Sequence, residues 1–137
     1  MANEIDQQRM RVTHGVMQML DGWNLSARDI IKILDLPTTV RSRNIARFRE
    51  DTPLPDEPAV MKRVDYLLRI SDALRTYFPR NPEMRSIWMR RGNRKFGRRA
   101  PLAVMVEGGE SGLISVLSYL DCTYAWDLTG SKTSYSH

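Results

Sequence analysis

Cysteine occurs once in this chain, at Cys122, and histidine twice, at His14 and His137. One thiol excludes an internal disulfide framework and any multi-cysteine zinc site. With Leu117 and Leu120 nearby, Cys122 reads as a small core residue. His14, flanked by Val12 and Val16, reads as a surface histidine. Acidic residues are scattered, and no GxxxxGK[ST], GxGxxG or GxSxG segment is present. Without a pair or triad of groups that can be tuned against each other, no catalytic residue, metal site or cofactor is expected. Strand signals are nearly absent. No run approaches the roughly eighteen consecutive apolar residues of a membrane span, so no membrane association is expected. "MANEIDQQRM" is polar where a signal peptide would be apolar, which makes the cytoplasm the expected compartment. Lysine is scarce too, at four residues against seventeen arginines.

What is present is arginine. The 137 residues carry a net charge of +5, and the sequence pI is about 9.7, a balance that suits an anionic partner. Guanidinium favours planar, bidentate contact with phosphate or carboxylate. One cluster comprises Arg41, Arg43, Arg47 and Arg49. A second, Arg90, Arg91, Arg94, Lys95, Arg98 and Arg99, overlaps the segment "RGNRKFGRRAPL" at 91–102.

The periodicity is helical almost throughout. Val12, Val16, Leu20 and Trp23 put one apolar face on a helix from about Asp6 to Gly22. Ser26 and Asp29 are spaced as a capping box for a second helix, whose inner face would be Ala27, Ile30, Ile31 and Leu34. "DLPTT" breaks that helix, and Thr38 or Thr39 is expected to cap a third, running to about Glu50 with Ile45 and Phe48 inward. Prolines between Pro53 and Pro58 exclude regular helix and mark the expected boundary between halves. A long helix should then bury Val60, Val64, Leu67, Leu68, Leu74 and Phe78 until Pro79 stops it. Asn81 and Pro82 open the next helix as cap and first residue. After the basic loop, Pro101 starts a short helix ended by Gly108 and Gly109. Ser111 begins the last, with Leu113, Val116, Leu117 and Leu120 inward. The expected fold is all-α, with a helix-turn-helix region at 1–57, a second helical domain at 58–128 and a flexible tail at 129–137.

Residues 26–50 have the helix-turn-helix layout, in which the second helix enters the major groove. Arg41 and Arg43 could reach guanine edges or phosphates, and Thr38, Thr39 and Ser42 could donate to phosphate oxygens, with Arg47 and Arg49 beside them. The other reading is a solvated arginine face on an ordinary helical pair. Arg41 also falls inside the stripe defined by Ile45 and Phe48, which conflicts with a helix starting at Thr39.

The stretches "WNLSARDIIKILDLP" and "LLRISDALRTYFPRNPEMRSIWMRRGNRKFGRRAPLAVMVEGGESGLISVLSYLDCTYAWDL" together resemble the Xre/MbcA/ParS antitoxins, the partners of RES-domain toxins in bacterial type II toxin–antitoxin pairs. The resemblance covers about residues 10–128. It rests on the order of an "LR..FP" helix end, a tryptophan in the next helix, an Asn-Phe-Gly loop, "PL", paired glycines and a terminal "YLD". The matching positions are Asn93, Phe96, Gly97, Pro101, Leu102, Gly109, Gly112 and Leu113, most of them structural in kind. Arg98 stands where a second loop glycine is common in the family.

The resemblance implies a toxin-binding C-terminal half, an N-terminal half able to bind operator DNA of its own operon, and a homodimer within a larger complex. It also implies inhibition of an NAD-consuming or ADP-ribosylating toxin by covering its active site. On that reading Arg90, Arg91, Asn93, Arg94, Lys95, Phe96, Arg98 and Arg99 belong to the toxin interface. Tyr124 and Trp126 are candidate plugs, Trp126 alternatively packing on its own domain. The other functional reading is a helix-turn-helix regulator whose C-terminal half only dimerises.

Overall fold

A computed structural model of the chain describes residues 3–129, with side chains described over 3–121. Among the described residues there are seven α-helices and no strand: α1 (Glu4–Gly22), α2 (Ala27–Leu34), α3 (Ile45–Glu50), α4 (Pro58–Tyr77), α5 (Pro82–Arg90), α6 (Pro101–Glu107) and α7 (Gly109–Thr129). Short 3-10 turns lie at Ser42–Asn44 and Arg94–Phe96. The all-α expectation holds. The chain divides into two compact units, Met1–Leu67 and Leu68–His137, and the division falls within α4. The proline-rich segment lies inside the first.

In the first unit, α1 begins where Asn3 accepts a hydrogen bond from the Asp6 amide and buries Val16, Met17 and Leu20. α3 packs on α1, with Ile45 and Phe48 buried. Ser26 caps α2 by accepting from the Asp29 amide at 3.1 Å. Ile33 rather than Ile31 joins Ile30 and Leu34 in its buried set. The helix closes in a Schellman turn, with the Leu36 amide bonded to the Ile31 carbonyl and the Asp35 amide to that of Lys32. Asp35 takes the left-handed conformation there, at φ 52°. Arg63 of α4, its side chain only 14% exposed, sits beside this helix end, 3.9 Å from the Asp35 carboxylate and 3.4 Å from the Ile33 carbonyl. A cation there complements the partial negative charge of the helix terminus. The proline-rich segment is held through Leu54, whose amide donates to Thr13 Oγ1 at 2.9 Å and whose carbonyl accepts from Arg9 at 3.1 Å. Thr13 is thus a buried polar residue with its hydroxyl satisfied.

Two expectations for this unit are corrected. Thr38 and Thr39 lie in a turn closed by the Val40 amide on the Pro37 carbonyl and cap no helix. The helical run starts instead after Arg41, which is extended and donates its amide to Asn44 Oδ1 at 2.9 Å. Arg41 therefore stands before the helix, exposed, and the conflict with Ile45 and Phe48 disappears.

In the second unit Ile70 and Leu74 of α4 are buried, while Leu68, expected inside, is 38% exposed. α4 ends at Tyr77, and Arg85 of α5 donates to the carbonyls of Phe78 and Pro79, at 3.0 and 3.4 Å, just past that end. Asn81 precedes α5, but its side chain caps nothing. α6 packs on α5 and α7. α7 starts two residues before Ser111, at Gly109 in the left-handed conformation (φ 63°). Leu113, Val116, Leu117 and Leu120 are all buried. A Cβ at Gly112 would lie 2.1 Å from the Val104 carbonyl oxygen, so only glycine lets α7 approach the α6 backbone this closely.

Candidate functional site

The second arginine cluster occupies the loop between α5 and α6, which Asn93 organises. Its Oδ1 accepts from the Lys95 amide at 2.9 Å. Its carbonyl accepts from the amides of Phe96 and Arg98, and its own amide donates to the Arg99 carbonyl at 3.1 Å. Asparagine suits this position because a short amide side chain can mimic one arm of a turn. The chain reverses through two consecutive left-handed residues, Gly97 at φ 63° and Arg98 at φ 71°. The Arg98 carbonyl closes over Gly92, where a Cβ would meet that oxygen at 2.5 Å. The loop thus keeps a backbone conformation that favours glycine at 98, although the residue there is arginine.

Phe96 faces its own unit. Its ring meets Tyr119 of α7 edge-on at 5.7 Å, and Tyr119 in turn stacks on Trp88 of α5 at 6.1 Å with an interplanar angle of 9°. The three rings hold the loop between α5 and α7. Such pairs contribute about 0.5–1.5 kcal/mol beyond area burial. Tyr119 is the first residue of the "YLD" signature and Trp88 its tryptophan, yet neither sequence feature states that the two rings meet.

The cations of the loop divide by partner. Arg99 forms an ion pair with Glu107 and reaches the Ala103 carbonyl at 3.5 Å, bracing the loop on α6. Arg90 is exposed on the last turn of α5. Arg91, Arg94, Lys95 and Arg98 are exposed, with no ion-pair partner among the described residues. Four uncompensated cations on a fixed loop form a surface suited to carboxylates or phosphates. Tyr124 and Trp126 fall on α7 by number, but their side chains lie outside the described residues, as does the 130–137 segment.

The first cluster divides in the same way. Arg49 grips Asp21 through two 2.8 Å hydrogen bonds, Nε to Oδ2 and Nη2 to Oδ1. The bonds from Arg49 hold the Asp21 carboxyl below its ordinary range, against partial burial, which pushes it up. Thr38, Thr39, Arg41, Ser42, Arg43 and Arg47 are exposed, and the three arginines have no ion-pair partner among the described residues. His14 is exposed, its Nε2 3.2 Å from the Glu50 carbonyl oxygen. Among the described residues no group of three or more His, Cys, Asp or Glu could hold a metal ion, and no helix is long and apolar enough to cross a membrane.

No curated protein matches the chain. Residues 73–123 match the family described as the antitoxin Xre/MbcA/ParS C-terminal toxin-binding domain. That segment contains the end of α4, all of α5 and α6, the Asn93 loop with its aromatic support, and the α6–α7 glycine contact. Over residues 73–123 the chain is thus similar to the toxin-binding domain of the Xre/MbcA/ParS antitoxins, in agreement with the resemblance read from its sequence.

Proposed function

We propose that this protein is the antitoxin of a type II pair whose toxin carries a RES domain and consumes NAD or transfers ADP-ribose. It inhibits that enzyme by covering the active-site entrance, and it acts in the cytoplasm as a homodimer within a larger complex. The supporting observation is the loop at 91–99: rigidly closed on Asn93, lying in a toxin-binding domain, and bearing four cations with no ion-pair partner among the described residues. The mouth of a site that handles a dinucleotide presents either cations for the pyrophosphate or carboxylates for its chemistry, and guanidinium groups would pair with the carboxylates. Such charges speed encounter and fix register, while aromatic or aliphatic anchors supply affinity.

The first unit, in the same reading, binds operator DNA. α2, the break after it and the short helix preceded by Arg41 form the helix-turn-helix layout. Arg41, Arg43 and Arg47 are available to phosphates or base edges, and Thr38, Thr39 and Ser42 to phosphates. Arg49 is occupied by Asp21 and contributes less.

Co-expression tests the proposal. The product of the adjacent reading frame should arrest growth alone, lose its toxicity beside this protein and copurify with it. Continued lethality without a complex would remove the antitoxin role and leave a DNA-binding regulator whose second unit only dimerises.

A further inference from the structure

We propose that a notch between the end of α4, α5 and the start of the Asn93 loop is the anchor pocket for an apolar side chain borne on an acidic segment of the toxin. The inference rests on the toxin-binding reading above and specifies which feature of the partner is gripped.

The notch has a volume of about 90 Å³, and its lining includes Phe78, Met84, Ile87 and Trp88 together with Arg91 and Asn93. Cofactor and drug-sized ligands occupy pockets of roughly 300–1,000 Å³. This one suits a single side-chain end. Its walls are fixed from several directions. Arg85 holds the carbonyls of Phe78 and Pro79, Trp88 is stacked on Tyr119, and Asn93 is tied by the loop hydrogen bonds. A preformed pocket spares the ordering cost that would otherwise weaken binding. Ile87 is nevertheless 40% exposed, an apolar side chain held open to water beside the pocket it lines.

Charge selects the occupant. Arg91 lines the notch, and Arg94, Lys95 and Arg98 follow it on the loop, exposed and without carboxylate partners among the described residues. In a two-fold contact, a second copy of this chain would bring the same cations against themselves, which is unfavourable. The chain's own 129–137 segment, "TGSKTSYSH", carries Lys132 and no acidic side chain. A partner segment with one apolar residue flanked by Asp or Glu satisfies both the apolar wall and the basic rim.

The test uses the full chain, ¹³C-methyl-labelled at isoleucine and methionine, titrated with the purified product of the adjacent reading frame. The Ile87 and Met84 methyl resonances should shift on binding. Ile87→Gln should weaken binding about tenfold or more, Ile87→Leu should retain it, and both should melt with the wild type. Arg91→Gln with Arg94→Gln should weaken binding by a similar factor and reduce its salt dependence. Binding with unmoved methyls and an unaffected Ile87→Gln variant overturns the notch while leaving the antitoxin role intact. Absence of binding by the wild-type chain removes both. Methyl shifts produced by raising the concentration of this protein alone, or by deleting residues 130–137, would assign the notch to a second copy or to the chain itself and overturn the acidic-segment assignment.

Discussion

Replacing Gly112 by alanine should strongly destabilise the second unit, although the same change in most helices is favourable. Alanine at an exposed helical glycine typically stabilises by about 1 kcal/mol, because glycine loses more backbone entropy on folding. At Gly112 the new Cβ would lie 2.1 Å from the Val104 carbonyl oxygen and 3.0 Å from its carbon, backbone atoms with no rotamer to yield. Ordinary contact begins at 3.4 Å, so α6 and α7 would have to part by about 1.3 Å, straining a close-packed interface. The same oxygen accepts the Gly108 amide at 2.8 Å, and that bond would be disturbed with it. The net loss should be about 3 kcal/mol, a shift of roughly 15 °C in Tm for a unit of this size. Gly15→Ala is the matched control: Gly15 is exposed on α1, and a Cβ there would meet nothing within 4 Å. It should stabilise by about 0.5–1 kcal/mol. Urea unfolding followed by far-ultraviolet circular dichroism measures both. A Gly112→Ala protein within 0.5 kcal/mol of wild type, on the scale of uneventful surface changes, would refute the close-approach reasoning.

Arg98→Gly should raise the stability of the free protein by up to about 1 kcal/mol, the left-handed strain relieved less the extra unfolded-state entropy of glycine; Arg98→Val should lower it, and thermal melts distinguish the two. Asp21 has a folded pKa below its ordinary 3.8, so its contribution is fully present above that pH and is lost as pH falls through the depressed value. Both partners of the Asp21–Arg49 pair are 41% exposed, so solvent screening keeps the effect under about 1 kcal/mol. Asp21→Asn should accordingly reduce the difference in urea stability between pH 7 and pH 2. Operator affinity measured against salt should lose about one unit of logarithmic slope in Arg43→Ala. Arg49→Ala, whose guanidinium is held by Asp21, should change that slope much less, and equal effects would contradict the division of the cluster.

Helix identity was legible from the sequence because apolar spacing reports which face meets the core. Val16, Leu20, Ile30, Leu34, Val60, Val64, Leu74 and the α7 stripe are buried as their periods require. The failures have local causes. Thr38 and Thr39 have capping chemistry, but the chain makes a turn on Pro37 first, and Asn44 closes the helical start on the Arg41 amide. Ile33 displaces Ile31 in an eight-residue helix, where adjacent apolar residues leave the facing angle poorly defined. The loop glycines and Asn93 were recognisable as turn formers, whereas the Phe96–Tyr119–Trp88 contact joins three elements and has no local signal.

Spacing in sequence also failed to sort the arginines, since partners and not positions give them their roles. Arg63 and Arg85 serve helix ends, Arg49 and Arg99 close ion pairs, and Arg41, Arg43, Arg47, Arg91, Arg94 and Arg98 have no ion-pair partner among the described residues. Arg98 is the sharpest case. Its backbone keeps the left-handed geometry that glycine adopts freely, at φ 71°, directly after Gly97 at φ 63°. Within the described residues its side chain forms no ion pair to offset that strain. If Arg98 belongs to the proposed toxin interface, a charge-assisted contact made outside the chain would offset that strain. The consequence is a reversal of sign: Arg98→Gly should melt higher than wild type when free, yet bind the toxin more weakly. A variant that gains in both measurements would show the strain to serve no contact, and would remove Arg98 from the interface.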